Sequence, residues 1–307
     1  MMGSTISRRG LAGLAALTLA PSLARARNVE QPPAATTTDA LRYLDASRRL
    51  TVQATINGQG PFAFLVDTGA SGSAISRELA DQLGLARRGT VELHGLAGSQ
   101  TVDIVRVNSL QVGRRVRGGM TLSVIERDHL GAAGLLGLEW LGNNSLMLDY
   151  ESRRMHVGSV LPLPDSQTVV VKARTKTGGL TLIDAVIPGA RLLAFLDSGS
   201  TTTVGNLALL EAAKRSKAII GDVVDIGLNS VTGQVLEGRL AVLSRLTLGA
   251  MTLRNVPLVV GQVHTFDYWG MGDKPAILIG SDILQRFETV ALDFKRGEVR
   301  FRISERG

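Results

Sequence analysis

One repeated pattern of short apolar segments constrains the fold of this 307-residue chain more than any other feature. Two alternating runs, residues 50–56 and 180–187, each precede a turn and a second apolar run. The second run leads into Asp67-Thr68-Gly69-Ala70 in the first case and into Asp197-Ser198-Gly199-Ser200, 130 residues later, in the other. Alternation of apolar and polar residues is typical of half-buried strands, so each half is predicted to place the same hairpin before an aspartate loop.

Later landmarks repeat in the same order, which indicates a duplication. Each half contains a Leu-x-x-Gly segment, an apolar strand, an apolar-apolar-Gly element and a closing hairpin. These occupy residues 110–113, 120–124, 135–137 and 148–157 in the first half, and residues 246–249, 256–260, 278–280 and 292–301 in the second. Several landmarks in one order predict two homologous lobes. We place them at residues 41–158 and 167–307, joined by a proline-containing linker at residues 159–166.

Composition favours a strand-rich globular fold. Hydrophobic residues make up 44 % of the chain and charged residues 20 %, and 35 glycines punctuate short runs of Val, Leu, Ile and Thr. The predicted fold class is therefore all-β with short helices. Helices are predicted over residues 74–85 and 204–218, where apolar residues recur at helical spacing.

The N-terminus has the features of an export signal. A pair of arginines at residues 8–9 precedes an apolar run at residues 10–20, and Ala24-Arg25-Ala26 has small residues where a signal peptidase cuts. We predict a signal peptide at residues 1–26, resembling the twin-arginine type, and a flexible lead-in at residues 27–40. A retained membrane anchor, the alternative, would need about 20 apolar residues. The mature protein is expected to be periplasmic or secreted, with no membrane span.

Charge and residue types exclude several functions. Three arginines of the expected signal peptide contribute to the net charge of +7, leaving +4 and no basic cluster, so no nucleic-acid partner is expected. The chain has no cysteine, which excludes disulfides, thiol nucleophiles and thiolate metal sites. Neither a metal nor a cofactor is expected, because no metal-ligand spacing links the four histidines, His94, His129, His156 and His264.

The two loop aspartates stand out because each directly follows a strongly apolar strand. Turn or helix-capping chemistry would explain a single Asp-Thr-Gly. An ionised carboxylate after a buried strand is costly unless something neutralises or uses it, and here the arrangement occurs once in each repeat. A twofold arrangement of the repeats would bring Asp67 and Asp197 together. Asp149 and Asp293 also occupy equivalent places, but each begins a hairpin, and we interpret both as turn residues.

Together these motifs resemble the retropepsin-like and pepsin-like aspartic peptidases, in the form with two retroviral-protease-like units fused in one chain. The resemblance covers residues 41–303, including both aspartate loops and the apolar-apolar-Gly elements that end at Gly137 and Gly280. It implies a bilobal pepsin-like fold of two β-barrel repeats, with each apolar-apolar-Gly strand beside an aspartate loop. One chain would supply the whole site, so we expect a monomer.

The resemblance also implies roles for the loop residues. Asp67 and Asp197 would be the catalytic pair, because two adjacent carboxyls cannot both ionise cheaply and so share a proton while activating a water, as is known for this class. Thr68 and Ser198 would lock the loops together by reciprocal hydrogen bonds. The glycines that would let the backbone approach the carboxylates are Gly69 and Gly199.

The fourth loop position differs between the lobes, with Ala70 in the first and Ser200 in the second. We predict that the Ser200 hydroxyl donates a hydrogen bond to the outer oxygen of Asp197 and favours its charged form. Asp197 would then be the ionised partner and Asp67 the protonated one.

Each lobe also has a Gly-rich segment that the resemblance identifies as a candidate flap over the substrate. The candidates are Gly95, Leu96, Ala97 and Gly98 in the first lobe, and Asn229, Ser230, Val231 and Thr232 in the second. Ordinary hairpin turns are the alternative, and neither segment has the tyrosine of a pepsin flap. The aromatic loop at residues 262–275 is interpreted as anchored by its aromatics, with a wall of the cleft as the alternative.

The sequence therefore predicts an exported aspartic endopeptidase that takes an extended peptide or an unfolded segment of an envelope protein. The alternatives are a peptide-binding protein that has kept the cleft without catalysis, and a non-enzymatic envelope scaffold. Catalysis is favoured, because a binding protein has no chemical need for two such carboxylates.

Overall fold

The computed structural model describes residues 39–42, 44–46, 49–142, 144–158, 161–175 and 179–303. The predicted signal peptide lies outside the described residues, as does the predicted lead-in up to residue 38. Asp39 and Ala40, at the end of that lead-in, belong to a strand. Within the described part of the chain, no helix is both long enough and apolar enough to span a membrane.

Short strands dominate both lobes, as the alternating runs predict. The elements of the first lobe are β1 (Asp39–Arg42), β2 (Leu44–Ala46), β3 (Arg49–Ile56), β4 (Gln59–Val66), β5 (Ala74–Ser76), α1 (Arg77–Gln82), β6 (Arg87–His94), β7 (Ser99–Val112), β8 (Arg115–Ile125), α2 (Arg127–Leu130), β9 (Gly134–Leu136), α3 (Leu138–Leu141), β10 (Ser145–Asp149) and β11 (Arg154–Gly158). Those of the second lobe are β12 (Thr168–Thr175), β13 (Thr181–Ile187), β14 (Ala190–Leu196), β15 (Val204–Asn206), α4 (Leu207–Arg215), β16 (Ile219–Asn229), β17 (Val235–Leu248), β18 (Met251–Gly261), α5 (His264–Tyr268), β19 (Ala276–Ile279), α6 (Ser281–Leu284), β20 (Phe287–Asp293) and β21 (Glu298–Ile303).

The two lobes share one strand order, so the duplication read from the sequence is also a duplication of topology. In the first lobe the order is β2-β3-β4-β9-β5-β8-β7-β6, and in the second it is β12-β13-β14-β19-β15-β18-β17-β16. An additional pairing, β3 with β7 and β13 with β17, curls each sheet back on itself. The predicted all-β fold of two related lobes is confirmed.

A further set of strands joins the lobes, in the order β1-β11-β10-β20-β21-β12. Both closing hairpins predicted from the sequence lie in it. At its centre β10 of the first lobe pairs with β20 of the second, with Leu146 opposite Leu292 and Leu148 opposite Val290. All four of these side chains are buried, so the join is an apolar interface as well as a hydrogen-bonded one.

Asp149 and Asp293 occupy the hairpins of this joining sheet. Each accepts a turn hydrogen bond, Asp149 from the amide of Ser152 at 2.7 Å and Asp293 from the amide of Arg296 at 3.2 Å. Asp293 is in addition buried and forms an ion pair with Arg300 at 3.1 Å. Turn chemistry therefore applies to both aspartates, and Asp293 has a buried ion pair in addition.

The predicted helices are shorter than the sequence pattern suggested. The first three residues of each predicted segment form the buried strands β5 and β15, which pair with β9 and β19 respectively. The helices α1 and α4 begin only after Ser76 and Asn206, whose side chains accept from the amides of Leu79 and Leu209. Capping chemistry at these residues marks the true helix starts.

Candidate active site

The aspartate loops leave equivalent strands in the two lobes. Asp67 follows β4 and Asp197 follows β14. Residues 64–70 and residues 194–200 show the same order of buried and half-buried side chains. The amide of Asp67 donates to the carbonyl of Leu136 on β9, and that of Asp197 donates to Ile279 on β19, both at 3.0 Å. The apolar-apolar-Gly strands thus hold the backbone of both aspartates.

The two carboxyl groups meet between the lobes, where they interact electrostatically. A Cβ atom at Gly69 would lie 2.5 Å from Oδ2 of Asp197, and one at Gly199 would overlap the carboxyl of Asp67. Each glycine therefore makes room for the aspartate of the other lobe. Close approach requires these glycines, because any side chain would push the carboxyls apart.

Thr68 and Ser198 join the two aspartate loops through reciprocal hydrogen bonds. The amide of Thr68 donates to the hydroxyl of Ser198 at 3.2 Å, and the amide of Ser198 donates to the hydroxyl of Thr68 at 3.0 Å. Each hydroxyl in turn donates across the lobe boundary at 2.8 Å, from Thr68 to the carbonyl of Leu196 and from Ser198 to that of Val66. These four buried bonds tie the loops in one relative position.

Gly137 and Gly280 complete the support of the site. The amide of Gly137 donates to the hydroxyl of Ser73 at 2.9 Å, and that of Gly280 donates to the hydroxyl of Thr203 at 3.0 Å. A Cβ at Gly137 would lie 2.5 Å from the backbone of Gly72. The glycines thus pack directly against the chain that leaves each aspartate loop.

Two acidic residues behind the loops were missed by the sequence interpretation. Glu139 accepts from the amide of Ser73 at 2.6 Å, and Asp282 accepts from the amide of Thr203 at 3.1 Å and from its hydroxyl at 2.7 Å. Burial raises the pKa of Glu139, and its hydrogen bonds to Ser73 oppose the rise. A signal was available, since each acid stands two residues after Gly137 or Gly280.

Electrostatics distinguish the two aspartates. Burial raises the pKa of Asp67 well above its ordinary value, and the charge of Asp197 raises it further. Burial also raises the pKa of Asp197, but the hydrogen bond from Asp67 and the positive charge of Arg49 oppose the rise. The two carboxyls therefore hold one proton as a pair, and the direction of these effects favours Asp67 as the protonated member, as the sequence predicts.

The Ser200 hydroxyl does not produce this asymmetry, and the predicted hydrogen bond from it to Asp197 is wrong. Ser200 Oγ donates instead to the carbonyl of Thr202 at 2.8 Å. Only the backbone amide of Ser200 reaches Asp197, at 3.0 Å. In the first lobe the backbone amide of Ala70 likewise opposes the rise in the pKa of Asp67.

Comparison with protein families agrees with this geometry. A family model described as aspartyl protease matches residues 52–140 and 183–283, one region in each lobe. The chain belongs to the aspartyl protease family. A search of curated proteins gave no match. Among the described residues of this family member, no group of three or more His, Cys, Asp or Glu side chains could hold a metal ion.

Both candidate flaps are tips of hairpins, and the two tips contact each other. The first lies between β6 and β7 and the second between β16 and β17. Gln234 Nε2, beside the second tip, donates to the carbonyl of Ser99 beside the first at 3.2 Å. At Gly95 a Cβ would lie 2.5 Å from Ser230 Oγ. The remaining candidates, Leu96, Ala97, Gly98, Asn229, Val231 and Thr232, lie in or beside the same two tips.

The aromatic loop of the second lobe holds the first flap. His94 Nδ1 lies 3.0 Å from His264 Nε2, and the His94 ring stacks on Tyr268 with centroids 3.8 Å apart. The amide of His264 donates to the carbonyl of Leu96, and the Thr265 hydroxyl donates to that of Gly95. Helix α5 therefore bridges the lobes. Its role was not predicted, because none of these flap contacts is local in sequence.

Apolar clusters adjoin the first flap and the strand that leads into it. In the second lobe, Leu96 and Ala97 of the first flap pack against a cluster that includes Phe195, Phe266 and Leu278. In the first lobe, a smaller cluster includes Leu65, Ala74, Ile125, Leu130 and Leu135, with Ala70 and Leu93 packed against it. The aromatic residues of the loop at residues 262–275 thus contribute to the core, as the anchor interpretation supposed, and also to the surface that meets a flap.

Proposed function

We propose that this protein is an aspartic endopeptidase that hydrolyses peptide bonds using a water activated between Asp67 and Asp197. The observation that carries the proposal is the close pair of carboxyls, one from each lobe, each lying against the glycine of the opposite loop. The interlocked Thr68 and Ser198 hold the pair in register. Such rigid positioning of an acid and a base is what general acid–base catalysis requires.

The reaction follows from the unequal protonation of the pair. Asp197, as the carboxylate, takes a proton from a water whose oxygen attacks the scissile carbonyl carbon, while Asp67 gives its proton to the carbonyl oxygen. The tetrahedral intermediate collapses when the proton held by Asp197 passes to the amide nitrogen and the C–N bond breaks. Asp67 recovers a proton from the intermediate, so the pair ends with one proton, as it began.

The substrate that fits this site is an extended peptide with apolar side chains. Both flaps are strand hairpins, the kind of element that pairs with a peptide main chain, and the apolar clusters beside the first flap favour apolar side chains. The export features of residues 1–26 support an envelope or periplasmic protein as the source of the peptide. Because one chain carries both aspartates, a monomer suffices.

The direct test is cleavage of a denatured protein and a peptide library between about pH 3 and 8, a range that spans carboxyl titration. Wild type is compared with Asp67→Asn and Asp197→Asn, and with Asp149→Asn as a control that removes a carboxylate from a hairpin turn. We expect either site variant to abolish cleavage and the control to retain it. A folded wild type that binds peptides without cutting them would favour the peptide-binding alternative.

A further inference from the structure

Arg49 begins β3 at the point where this strand comes alongside the first aspartate loop. β3 and β4 are antiparallel, with Thr51 opposite Leu65. Continuing this register by two residues sets Arg49 opposite Asp67. Strand pairing, rather than proximity in sequence, brings the arginine to the site.

Arg49 is partly buried, and no carboxylate among the described residues forms an ion pair with its guanidinium. Its Nε atom is buried and has no hydrogen-bond partner among the described residues. Its Nη2 atom lies against Gly131, where a Cβ would overlap it. Gly131 follows α2 with φ of 72°, so this glycine both reverses the chain and leaves room for the guanidinium.

The charges that act on Arg49 are those of the aspartate pair. Burial lowers the pKa of Arg49, and the carboxylates of Asp67 and Asp197 oppose this effect. In return, the charge of Arg49 opposes the rise that burial causes in the pKa of Asp197. Strand register thus places Arg49 beside Asp67, and its charge acts on both aspartates.

Other ionisable groups near the pair are differently engaged. Those at α2 are exposed, namely Glu126, Arg127, Asp128 and His129. Glu139 and Asp282 bond to backbone amides behind the loops. His94 and His264 pair with each other at the first flap.

The second lobe has no arginine at the corresponding position. Leu50-Thr51 at the start of β3 corresponds to Leu180-Thr181 at the start of β13, which sets Gly179 at the position of Arg49. Among the described residues, this strand position therefore supplies a cation to the pair from the first lobe but not from the second.

We propose that Arg49 is a positioning residue of the aspartate pair, whose cationic guanidinium stabilises the singly ionised pair relative to the doubly protonated one. The proposal deepens the proposed function, since the singly ionised pair is the active form. Removing the cation makes each deprotonation of the pair less favourable, so both steps move to higher pH. The expected shift is about one pH unit, at the low end for an opposite charge nearby, because Arg49 makes no direct hydrogen bond to the pair.

The test compares wild type with Arg49→Met, which removes the charge, and Arg49→Lys, which keeps it. Arg174→Gln is the control for net charge, because Arg174 pairs with Asp184 at the exposed surface. Carboxyl titration is followed by NMR on protein labelled with ¹³C at the aspartate side chains, with Asp67→Asn and Asp197→Asn assigning the signals. This readout needs no catalysis, so it remains informative even if the protein cleaves nothing. Where cleavage occurs, the pH–rate profile is measured in parallel.

We expect Arg49→Met to move the titration of the pair, and both limbs of the rate profile, to higher pH. Arg49→Lys should restore most of the wild-type behaviour, and Arg174→Gln should leave it unchanged. The proposal is overturned if folded Arg49→Met titrates like wild type, or if Arg49→Lys shifts as far as Arg49→Met. The latter result would assign the effect to the shape of the arginine rather than to its charge.

Discussion

The amide of Thr68 donates to the hydroxyl of Ser198 at 3.2 Å, and the amide of Ser198 donates back to the hydroxyl of Thr68 at 3.0 Å. Both residues are almost completely buried. Because both residues are buried, water cannot substitute for either partner in these hydrogen bonds between the lobes. Loss of one hydroxyl leaves a buried amide and a buried carbonyl on the other lobe without a partner.

Ser198→Ala is expected to destabilise the protein by about 1–3 kcal/mol, the cost of stranding buried polar groups, and to slow cleavage by loosening the carboxyl pair. The measurements are urea unfolding and kcat on a peptide substrate. Ser198→Thr is the matched control, because the equivalent loop already carries a threonine at Thr68. Equal losses in both variants would show that the hydroxyl bonds do not hold the loops.

The raised pKa of Asp67 predicts how stability depends on pH. An acid whose pKa is higher in the folded than in the unfolded state stabilises the fold fully below the unfolded value of about 4, and this stabilisation is lost as pH rises through the folded value. In that window the free energy of unfolding should fall with pH, by at most about 1.4 kcal/mol per pH unit for one proton.

Asp67→Asn should flatten this part of the stability curve, because it removes the proton that the folded pair retains. Denaturant unfolding at a series of pH values measures the effect, with Asp149→Asn as the control for deleting a carboxylate from a turn. A variant whose curve stays parallel to that of wild type would contradict the assignment of the shared proton to Asp67.

The sequence was sufficient to predict the central parts of the site because these are repeated. Both aspartates, Thr68 and Ser198, and the glycines of both lobes follow short motifs that occur twice in the same order. Such motifs describe backbone geometry that is local to each loop. The two-lobed all-β fold follows from the same repetition.

Contacts that depend on long-range packing could not be predicted in this way. Arg49 reaches the site through strand register, and His94 meets His264 across 170 residues. The direction of the Ser200 hydroxyl depends on a nearby carbonyl, that of Thr202, which competes for the same proton. Helix starts were placed too early because short buried strands and helices share apolar spacing.

His94 is expected to restrain the first flap through its contacts with His264 and Tyr268. His94→Ala removes one hydrogen bond and one ring stack, together worth about 1–1.5 kcal/mol, so flap opening should become about five- to tenfold more frequent. Hydrogen exchange of the flap amides measures this directly. His156→Ala, on β11 of the joining sheet, is the control and should leave flap exchange unchanged. Unaltered exchange in His94→Ala would show that backbone bonds alone hold the flap.

The ion pair between Asp293 and Arg300 gives the last prediction, because it lies buried in the sheet that joins the lobes. Their side chains are only 5 % and 6 % exposed, and Ser145 of the first lobe also donates to Asp293, at 3.3 Å. Asp293→Ala would leave a buried guanidinium with Glu298 as its remaining acidic partner. The expected loss of stability is therefore about 3 kcal/mol, the low end for breaking a buried pair.

Asp149→Ala is the matched control, since Asp149 occupies the equivalent hairpin but is only partly buried. Its loss should cost about 1 kcal/mol, the worth of a turn hydrogen bond. Urea unfolding of both variants separates the two environments. Equal losses of stability in the two variants would mean that the ion pair contributes nothing beyond the turn. The expected difference of about 2 kcal/mol would show that the buried ion pair of the second hairpin stabilises the junction between the lobes.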